Sequence, residues 1–386
     1  MKTLVLGCRE IVLGAGSLEH LKNVTAERVF IVTGGSSMIK HGIIDRAKQY
    51  LDDGKREILV HSGISPNPTI SEITEGITLI NSFKPDMVIG IGGGSAMDAA
   101  KAMILFYEFP ELNFNNVLAH VAENKIPAER KKAKLICVPS TSGSASEVTK
   151  GTVVTDPGRH LKFPILTACI RPDVAILDSD LTKTMPANIV AETGLDALTH
   201  AVEAYINHSM DDFDEALAAF AAIGIMKWLP KSFNEADAES RGKIHNYQAM
   251  AGIAFANVGL GMVHGIAHAF GGMYDIGHGV ANAIVLPYAL DYNKRNDVVS
   301  AKLKELSYLC RCDDIISEIK KLKKDIGIPL CFKEFGVSES DYKKDFDILL
   351  KHTMAGGATK ANPILMTDES MSKMLDAVYY GTPIDF

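Results

Sequence analysis

Imidazole and carboxylate groups recur at helical spacing in the second half of this 386-residue chain. Asp196 and His200 are four residues apart, so a helix presents both on one face. His264 and His268 repeat that spacing, and His278 lies between two glycines on a predicted loop. Three imidazole nitrogens and one carboxylate oxygen suit Fe²⁺ or Zn²⁺. The pattern predicts a metal site formed by Asp196, His200, His264 and His278.

Two of those histidines belong to an unusual uncharged stretch. Residues 248–274 contain no Asp, Glu, Lys or Arg over more than the length of a bilayer-crossing helix. The same stretch holds six glycines, Asn257 and both histidines, which are costly in lipid. In a protein core, small residues permit close packing and His can be paired or bound to metal. We interpret the stretch as buried helix and expect no membrane partner.

A glycine turn in the first half predicts a phosphate site. Gly92, Gly93 and Gly94 follow a β-rich run and precede a helical pattern. Glycines let the backbone approach a ligand closely, and free N–H groups at a helix start favour phosphate. Ser95, with Asp98 three residues later, has the spacing of a capping box at that helix start, and we predict that both belong to the cofactor site with the three glycines.

A second loop, residues 139–147, follows another strand and is rich in hydroxyl groups. Serine and threonine hydroxyls can donate hydrogen bonds to phosphate and ribose oxygens. We therefore predict that Ser140, Thr141 and Ser144 contact the same nucleotide as the glycine turn.

The elements that must position these groups follow from the hydrophobic pattern. Short β-rich runs alternate with helical patterns in the first half, the runs being 28–33, 58–60, 87–91, 135–138 and 174–177 and the helices 43–51 and 70–83. Alternation of this kind predicts a mostly parallel sheet whose ligands lie beyond the carboxyl ends of the strands. Long segments rich in Ala, Leu and Met follow residue 178. We predict an α/β dinucleotide-binding domain over 1–180 and an all-α metal-binding, catalytic domain over 181–386.

Composition narrows the partners and the compartment. The net charge of −7 gives no basic field for a nucleic acid or an anionic membrane. Six scattered cysteines without a C-x-x-C motif are typical of free thiols in a reducing compartment. Arg9 and Glu10 come too early for the apolar part of a signal peptide. We expect a cytoplasmic protein without a nucleic-acid partner.

Taken together, these motifs resemble the iron-containing, group III alcohol dehydrogenase family. The matching stretches are the glycine turn with Asp98 and Lys101, residues 139–149 and 194–203, the His264 to His268 segment, His278-Gly279, and residues 14–17, 66–69 and 362–363. The resemblance covers essentially the full chain. It implies a metal-dependent, NAD(P)H-linked alcohol dehydrogenase or aldehyde reductase acting on a small aldehyde or primary alcohol, and a homo-oligomer, dimer or larger.

The resemblance also implies roles for residues near the two sites. His268, one turn past a metal ligand, would face the substrate. Our own hypothesis is that His268 exchanges the alcohol proton, and the alternative is a histidine that only supports a ligand or packs in the core. Apart from the resemblance, Phe255, about two helical turns before His264, either walls the substrate pocket or is an ordinary core residue, and Lys162 joins the predicted cofactor contacts. Family members that prefer NAD(H) carry Asp where this chain has Gly35, followed by Ser36. Loss of that carboxylate favours NADP(H) over NAD(H).

Two enzymatic alternatives remain open at this point, together with a non-catalytic, metal-stabilised nucleotide-binding protein. The architecture also resembles the dehydroquinate synthase superfamily, where a nucleotide and a metal serve an elimination and cyclisation. That chemistry needs Lys and Arg for a phosphorylated substrate, and the stretch 248–274 supplies none. Polyol oxidation of the glycerol dehydrogenase type is the other enzymatic alternative.

Overall fold

The computed structural model describes residues 3–158 and 161–386, which form two compact units, residues 3–185 and 186–386. The first unit is α/β with a parallel sheet, and the second is helical. This confirms the predicted fold class.

The first unit is built on a six-stranded sheet in which every neighbouring pair is parallel. Its strands are β1 (Glu10–Leu13), β2 (Arg28–Gly34), β3 (Glu57–Ile64), β4 (Met87–Gly92), β5 (Lys134–Pro139) and β8 (Val174–Leu177), in the order β1-β8-β5-β4-β2-β3. The helices are α1 (Ser37–Lys40), α2 (Ile43–Leu51), α3 (Ile70–Phe83), α4 (Gly94–Glu108) and α5 (Val117–Ala122). The two helices named in the sequence analysis, α2 and α3, have the predicted bounds.

The central strands are apolar because both faces of the sheet are covered. Phe30 and Val32 of β2 belong to a core that includes residues of α3 and α4. Val29 and Ile31 of the same strand belong to a separate core that includes residues of α2. Side chains alternate between the faces of a strand, so one continuous apolar run supplies both cores.

Three strands were not predicted from the sequence. One is the edge strand β1, and the others are β6 (Gly151–Asp156) and β7 (Leu161–Leu166), which form a separate antiparallel pair. The two strands are short and include Gly151 and Pro164, so the sequence pattern that predicts a β-strand is weak in both.

The second unit contains only helices among its regular elements within the described part of the chain. They are α6 (Ala187–Tyr205), α7 (Asp212–Asn234), α8 (Ala238–Val258), α9 (Met262–Tyr274), α10 (His278–Asn293), α11 (Asp297–Cys310), α12 (Ile315–Asp325), α13 (Phe332–Phe335), α14 (Glu339–Ala355), α15 (Gly357–Lys360) and α16 (Asp368–Tyr380). His278 was expected on a loop, and this was wrong: it is the first residue of α10.

The uncharged stretch 248–274 belongs to two helices. The end of α8 and the whole of α9 meet at 103°, with a break at residues 259–261. By length and composition alone, α7 is apolar enough to cross a membrane, and the bent pair α8 and α9 would pass the same test as one span. Core helices of water-soluble proteins also meet that criterion, and α7 packs against α6 and α8.

Candidate active site

Three helices of the second unit bring the predicted metal ligands together. Helix α6 supplies Asp196 and His200, α9 supplies His264, and α10 supplies His278. One ligand atom from each residue lies within 4.8 Å of the others. The His200 and His278 Nε2 atoms lie 3.9 and 3.8 Å from the Asp196 Oδ1 atom. The donor set is three imidazole nitrogens and one carboxylate oxygen, which fits Fe²⁺ or Zn²⁺.

The ligands are held among packed rings. Asp196, His200 and His264 are buried, whereas His278 is half-buried. The His200 and His264 rings stack with their centroids 4.7 Å apart. Buried polar groups of this kind are costly unless they bond to protein, water or a cation.

Close approach of α10 to α6 depends on Gly279. A Cβ atom at this position would lie 2.3 Å from the Glu192 carbonyl oxygen and 3.4 Å from the Asp196 Cβ atom. Any side chain at residue 279 would therefore push the start of α10 away from α6. The glycine after His278 thus brings that ligand to its partners on the neighbouring helix.

Glu203, which the sequence analysis did not assign, fixes the orientation of His264. Its Oε2 accepts a hydrogen bond from the His264 Nδ1 at 2.6 Å, and its Oε1 accepts one from the Val263 backbone N–H at 2.8 Å. The first bond leaves the His264 Nε2 atom as the nitrogen that faces the ligand cluster. The second satisfies an N–H group in the first turn of α9. Glu203 is one turn from His200, a spacing that could have identified it.

Asn282 is the second residue that the sequence analysis missed. Its Nδ2 lies 2.7 Å from the Asp196 Oδ1 and 3.1 Å from the Nε2 atoms of His264 and His278. It follows His278 by four residues. Since His278 was expected on a loop, nothing in the sequence analysis placed Asn282 on the same helix face as His278.

The two predicted substrate-side residues lie next to the ligands. The half-buried His268 ring stacks on His278, with centroids 5.1 Å apart, and meets His264 edge-on at 6.0 Å. The ring of Phe255 stacks on His200 at 4.5 Å. Both predicted residues therefore border the ligand cluster.

The two predicted nucleotide loops of the first unit pack against each other. They follow the neighbouring strands β4 and β5, and the Ser140 N–H donates to the Gly92 carbonyl oxygen at 2.8 Å. A Cβ atom at Gly94 would lie 2.8 Å from the Ser144 side chain, and one at Gly93 would lie 3.6 Å from Thr141. No side chain caps the start of α4. A helix start of this kind can accept an anionic group.

The predicted capping box at Ser95 and Asp98 is wrong. Gly93 is the residue before α4, and the Ser95 hydroxyl donates to the Pro66 carbonyl oxygen. The Asp98 carboxylate turns inward and accepts bonds from the Ser146 hydroxyl at 2.7 Å and the Val153 N–H at 2.8 Å. Tertiary partners thus replaced the local bond that the spacing predicted.

A buried lysine one turn after Asp98 forms hydrogen bonds to the same segment of the chain. Lys101 Nζ donates to the carbonyl oxygens of Thr149 and Gly151 at 3.0 and 2.9 Å. Burial raises the pKa of Asp98, and the charges of Lys101 and Lys162 oppose that rise. Asp98 and Lys101 therefore attach the end of the hydroxyl-rich loop and strand β6 to α4.

The remaining predicted cofactor residues lie on the same unit. Gly35 and Ser36 are exposed just after β2, the neighbour of β4 in the sheet. A Cβ atom at Gly35 would meet no atom of residues 3–158 or 161–386 within 4 Å. Lys162 is on β7, and its charge acts on Asp98.

Sequence comparisons match nearly the whole chain. Residues 8–179 match the family described as iron-containing alcohol dehydrogenase, and residues 190–379 match the C-terminal part of that family. The chain belongs to the iron-containing alcohol dehydrogenase family. The match confirms the resemblance that the motifs indicated.

Individual members of the iron-containing alcohol dehydrogenase family agree with this. An NADPH-dependent butanol dehydrogenase of Clostridium saccharobutylicum is 40% identical over 98% of both chains. A 1-propanol dehydrogenase of Citrobacter freundii is 32% identical over 97% of this chain and 99% of its own. The structure of an iron-containing alcohol dehydrogenase from Thermococcus thioreducens is 32% identical, with a TM-score of 0.90 over 98% of this chain and 100% of that one. The protein is an alcohol and aldehyde oxidoreductase, which disfavours the elimination and cyclisation alternative.

Proposed function

We propose that this enzyme transfers hydride reversibly between NADP(H) and a small aliphatic aldehyde or primary alcohol. The cation would be Fe²⁺, or alternatively Zn²⁺, held by Asp196, His200, His264 and His278. The single observation that carries the proposal is the convergence of those four ligand atoms within 4.8 Å. When bound, such a cation supplies Lewis acidity toward the substrate oxygen, and the nicotinamide supplies or accepts the hydride.

The protein's own part in this reaction is to position groups and to handle one proton. Glu203 orients His264 through the Nδ1 atom. His268, stacked on His278, would exchange the alcohol proton at a ring nitrogen, because imidazole titrates near neutral pH. Phe255 would exclude water on the side of His200.

The preference for NADP(H) rests on residues after β2. Gly35 leaves open space where family members that prefer NAD(H) carry Asp, and Ser36 adds a hydroxyl donor. A 2′-phosphate would meet no carboxylate there. The Clostridium saccharobutylicum relative is named as NADPH-dependent, which supports the same preference.

The compartment and assembly belong to this proposal as well. All six cysteines are free thiols, as expected of a cytoplasmic protein. We expect a homo-oligomer, dimer or larger, and no nucleic-acid or membrane partner. Size-exclusion chromatography with light scattering tests the assembly directly.

The function is tested with protein stripped of metal and reloaded anaerobically with Fe²⁺ or Zn²⁺. We expect NADPH oxidation with C2–C4 aldehydes, loss of turnover in His278→Ala, and reduced cation binding in the same variant. His120→Ala, which removes a histidine from the first unit, is the control and should retain activity. The proposal fails if metal-loaded protein oxidises NADPH with no aldehyde of a broad panel.

A further inference from the structure

Asn282 makes contacts that no structural role in the helix requires. The residue is fully buried on α10, one turn after His278. Its Nδ2 is within hydrogen-bond distance of three ligand residues, Asp196 at 2.7 Å and the Nε2 atoms of His264 and His278 at 3.1 Å. One side chain therefore contacts a ligand from each of α6, α9 and α10.

The other end of the same amide is unused. Asn282 Oδ1 is buried and has no hydrogen-bond partner among residues 3–158 and 161–386. A buried carbonyl oxygen without a partner carries an uncompensated desolvation cost. A leucine of similar size would avoid that cost, so packing alone does not account for an amide here. Its polar function lies entirely on the Nδ2 side, toward the ligands.

The ligand atoms near the Asn282 Nδ2 are hydrogen-bond acceptors, which need a donor when no cation is bound. In His264, the Nδ1–H donates to Glu203, so the Nε2 carries a lone pair. The Asp196 carboxylate likewise presents lone pairs to the cluster. Acceptors that face one another are unfavourable without a donor or cation between them. The Asn282 N–H groups supply a donor from the protein itself.

We propose that Asn282 is a positioning residue of the metal centre. Its amide N–H groups hold the Asp196 and histidine acceptors together before the cation binds, and its hydrogen bond to Asp196 continues to orient that carboxylate afterwards. Asn282 is not a ligand in this scheme. The inference rests on the proposed ligand set of Asp196, His200, His264 and His278.

The test compares cation binding by full-length, metal-free protein and its Asn282→Leu variant. Zn²⁺ affinity is measured by competition with a chromophoric chelator, and Co²⁺ serves as a spectroscopic probe of the ligand set. We expect the variant to bind Zn²⁺ about 10- to 100-fold more weakly, the size of effect seen when residues that orient metal ligands are changed. The visible Co²⁺ absorption bands should stay those of the unchanged chain.

Two further variants secure the comparison. Asn282→Ala removes the amide without adding bulk and should also weaken Zn²⁺ binding, so the test survives if the leucine variant does not fold. Asn207→Ala changes another buried asparagine, just after α6, whose Oδ1 accepts the Ser209 N–H, and should leave Zn²⁺ affinity unchanged.

Two results would overturn the inference. One is unchanged Zn²⁺ affinity in folded Asn282 variants, which would show that Asn282 only fills space in the core. The other is weaker binding with altered Co²⁺ band intensities, which would make Oδ1 a ligand. If the unchanged protein binds no divalent cation, the proposed ligand set itself fails, which is a different outcome.

Discussion

Two residues outside the proposed ligand set contact the side chains of the candidate metal site. Glu203 and Asn282 contact the ligands from opposite sides, one at the Nδ1 of His264 and the other at its Nε2. A free histidine ring can rotate and exchange tautomers, whereas a ring bonded at one nitrogen presents the other in a defined direction. At this scale, we therefore expect cation affinity to depend on these hydrogen bonds as well as on the proposed ligands.

Glu203→Gln tests the bond to His264. We expect roughly 10- to 100-fold weaker Zn²⁺ binding, because the amide is a weaker acceptor and no longer fixes the tautomer. Chelator competition on metal-free protein measures the change. Glu305→Gln, which alters a carboxylate bonded to the Tyr205 hydroxyl, is the matched control and should bind Zn²⁺ normally. Equal affinity of both variants would contradict the prediction.

Gly35→Asp tests the cofactor preference. The new carboxylate has open space around its Cβ and would repel a 2′-phosphate while accepting a bond from a 2′-hydroxyl. We expect the NADPH-to-NADH ratio of kcat/KM to fall roughly tenfold or more, since like charges placed together cost at least about 1.4 kcal/mol. Gly35→Asn has the same size without the charge, and an equal effect there would exclude the electrostatic explanation.

At the scale of elements, helices perform two different kinds of positioning. In the second unit, α6, α9 and α10 each present one or two of the proposed ligands, and the start of α10 approaches α6 through Gly279. In the first unit, α4 holds a loop in place: Asp98 and Lys101 on its buried face form hydrogen bonds to residues 146–153. The hydroxyl-rich loop before that segment thereby acquires a defined position beside the glycine turn.

Asp98→Asn tests this attachment. The amide nitrogen cannot accept the Val153 N–H bond in the carboxylate's place, so we expect the loop to loosen and the Kd for NADPH to rise about tenfold, the equivalent of one charge-assisted hydrogen bond of about 1.5 kcal/mol. Fluorescence titration with NADPH measures it. Asp86→Asn removes a carboxylate that accepts the Glu27 and Arg28 N–H bonds, and serves as control. The same rise in Kd for both variants would argue against a specific loop effect.

At the scale of the whole molecule, stability depends on the protonation state of a lysine buried inside the helical unit. Lys323 is fully buried and donates to the Ile284 carbonyl oxygen at 3.3 Å. Burial lowers its pKa to about 7, with Cys331 and Glu334 opposing the shift and Lys320 adding to it. The unfolded chain, with a lysine pKa of about 10.4, binds more protons between pH 7 and 10.4. The lysine's contribution to stability therefore rises with pH across that window, by about 1.4 kcal/mol per unit.

Lys323→Met removes this dependence. We expect the variant to be more stable than the unchanged protein near pH 7.5, and the difference in thermal midpoint to shrink as the pH approaches 10. Differential scanning calorimetry at several pH values measures the difference. Lys320→Met on the same helix removes a half-exposed lysine and should leave the pH dependence in place. Parallel pH profiles for all three proteins would contradict the assigned pKa.

The amino-acid sequence by itself determined the fold class and the family, because both depend on local patterns. Apolar runs alternating with helical periodicity specify a covered parallel sheet, and α2 and α3 have the bounds that their periodicity predicts. The i, i+4 spacing likewise predicted that Asp196 and His200 lie together, since side chains one turn apart share a helix face, and both are on α6.

Only the tertiary structure decided which distant groups meet and what they bond. Asp98 has the spacing of a local cap, yet it bonds to Ser146 and Val153, whose positions depend on the packing of α4 against β6. Glu203 and Asn282 lie one turn from His200 and His278, but their hydrogen bonds join them to His264 and Asp196, 61 and 86 residues away along the chain. Long-range hydrogen bonds depend on side-chain directions that a one-dimensional pattern does not contain, so these bonds were found only in the packed helices.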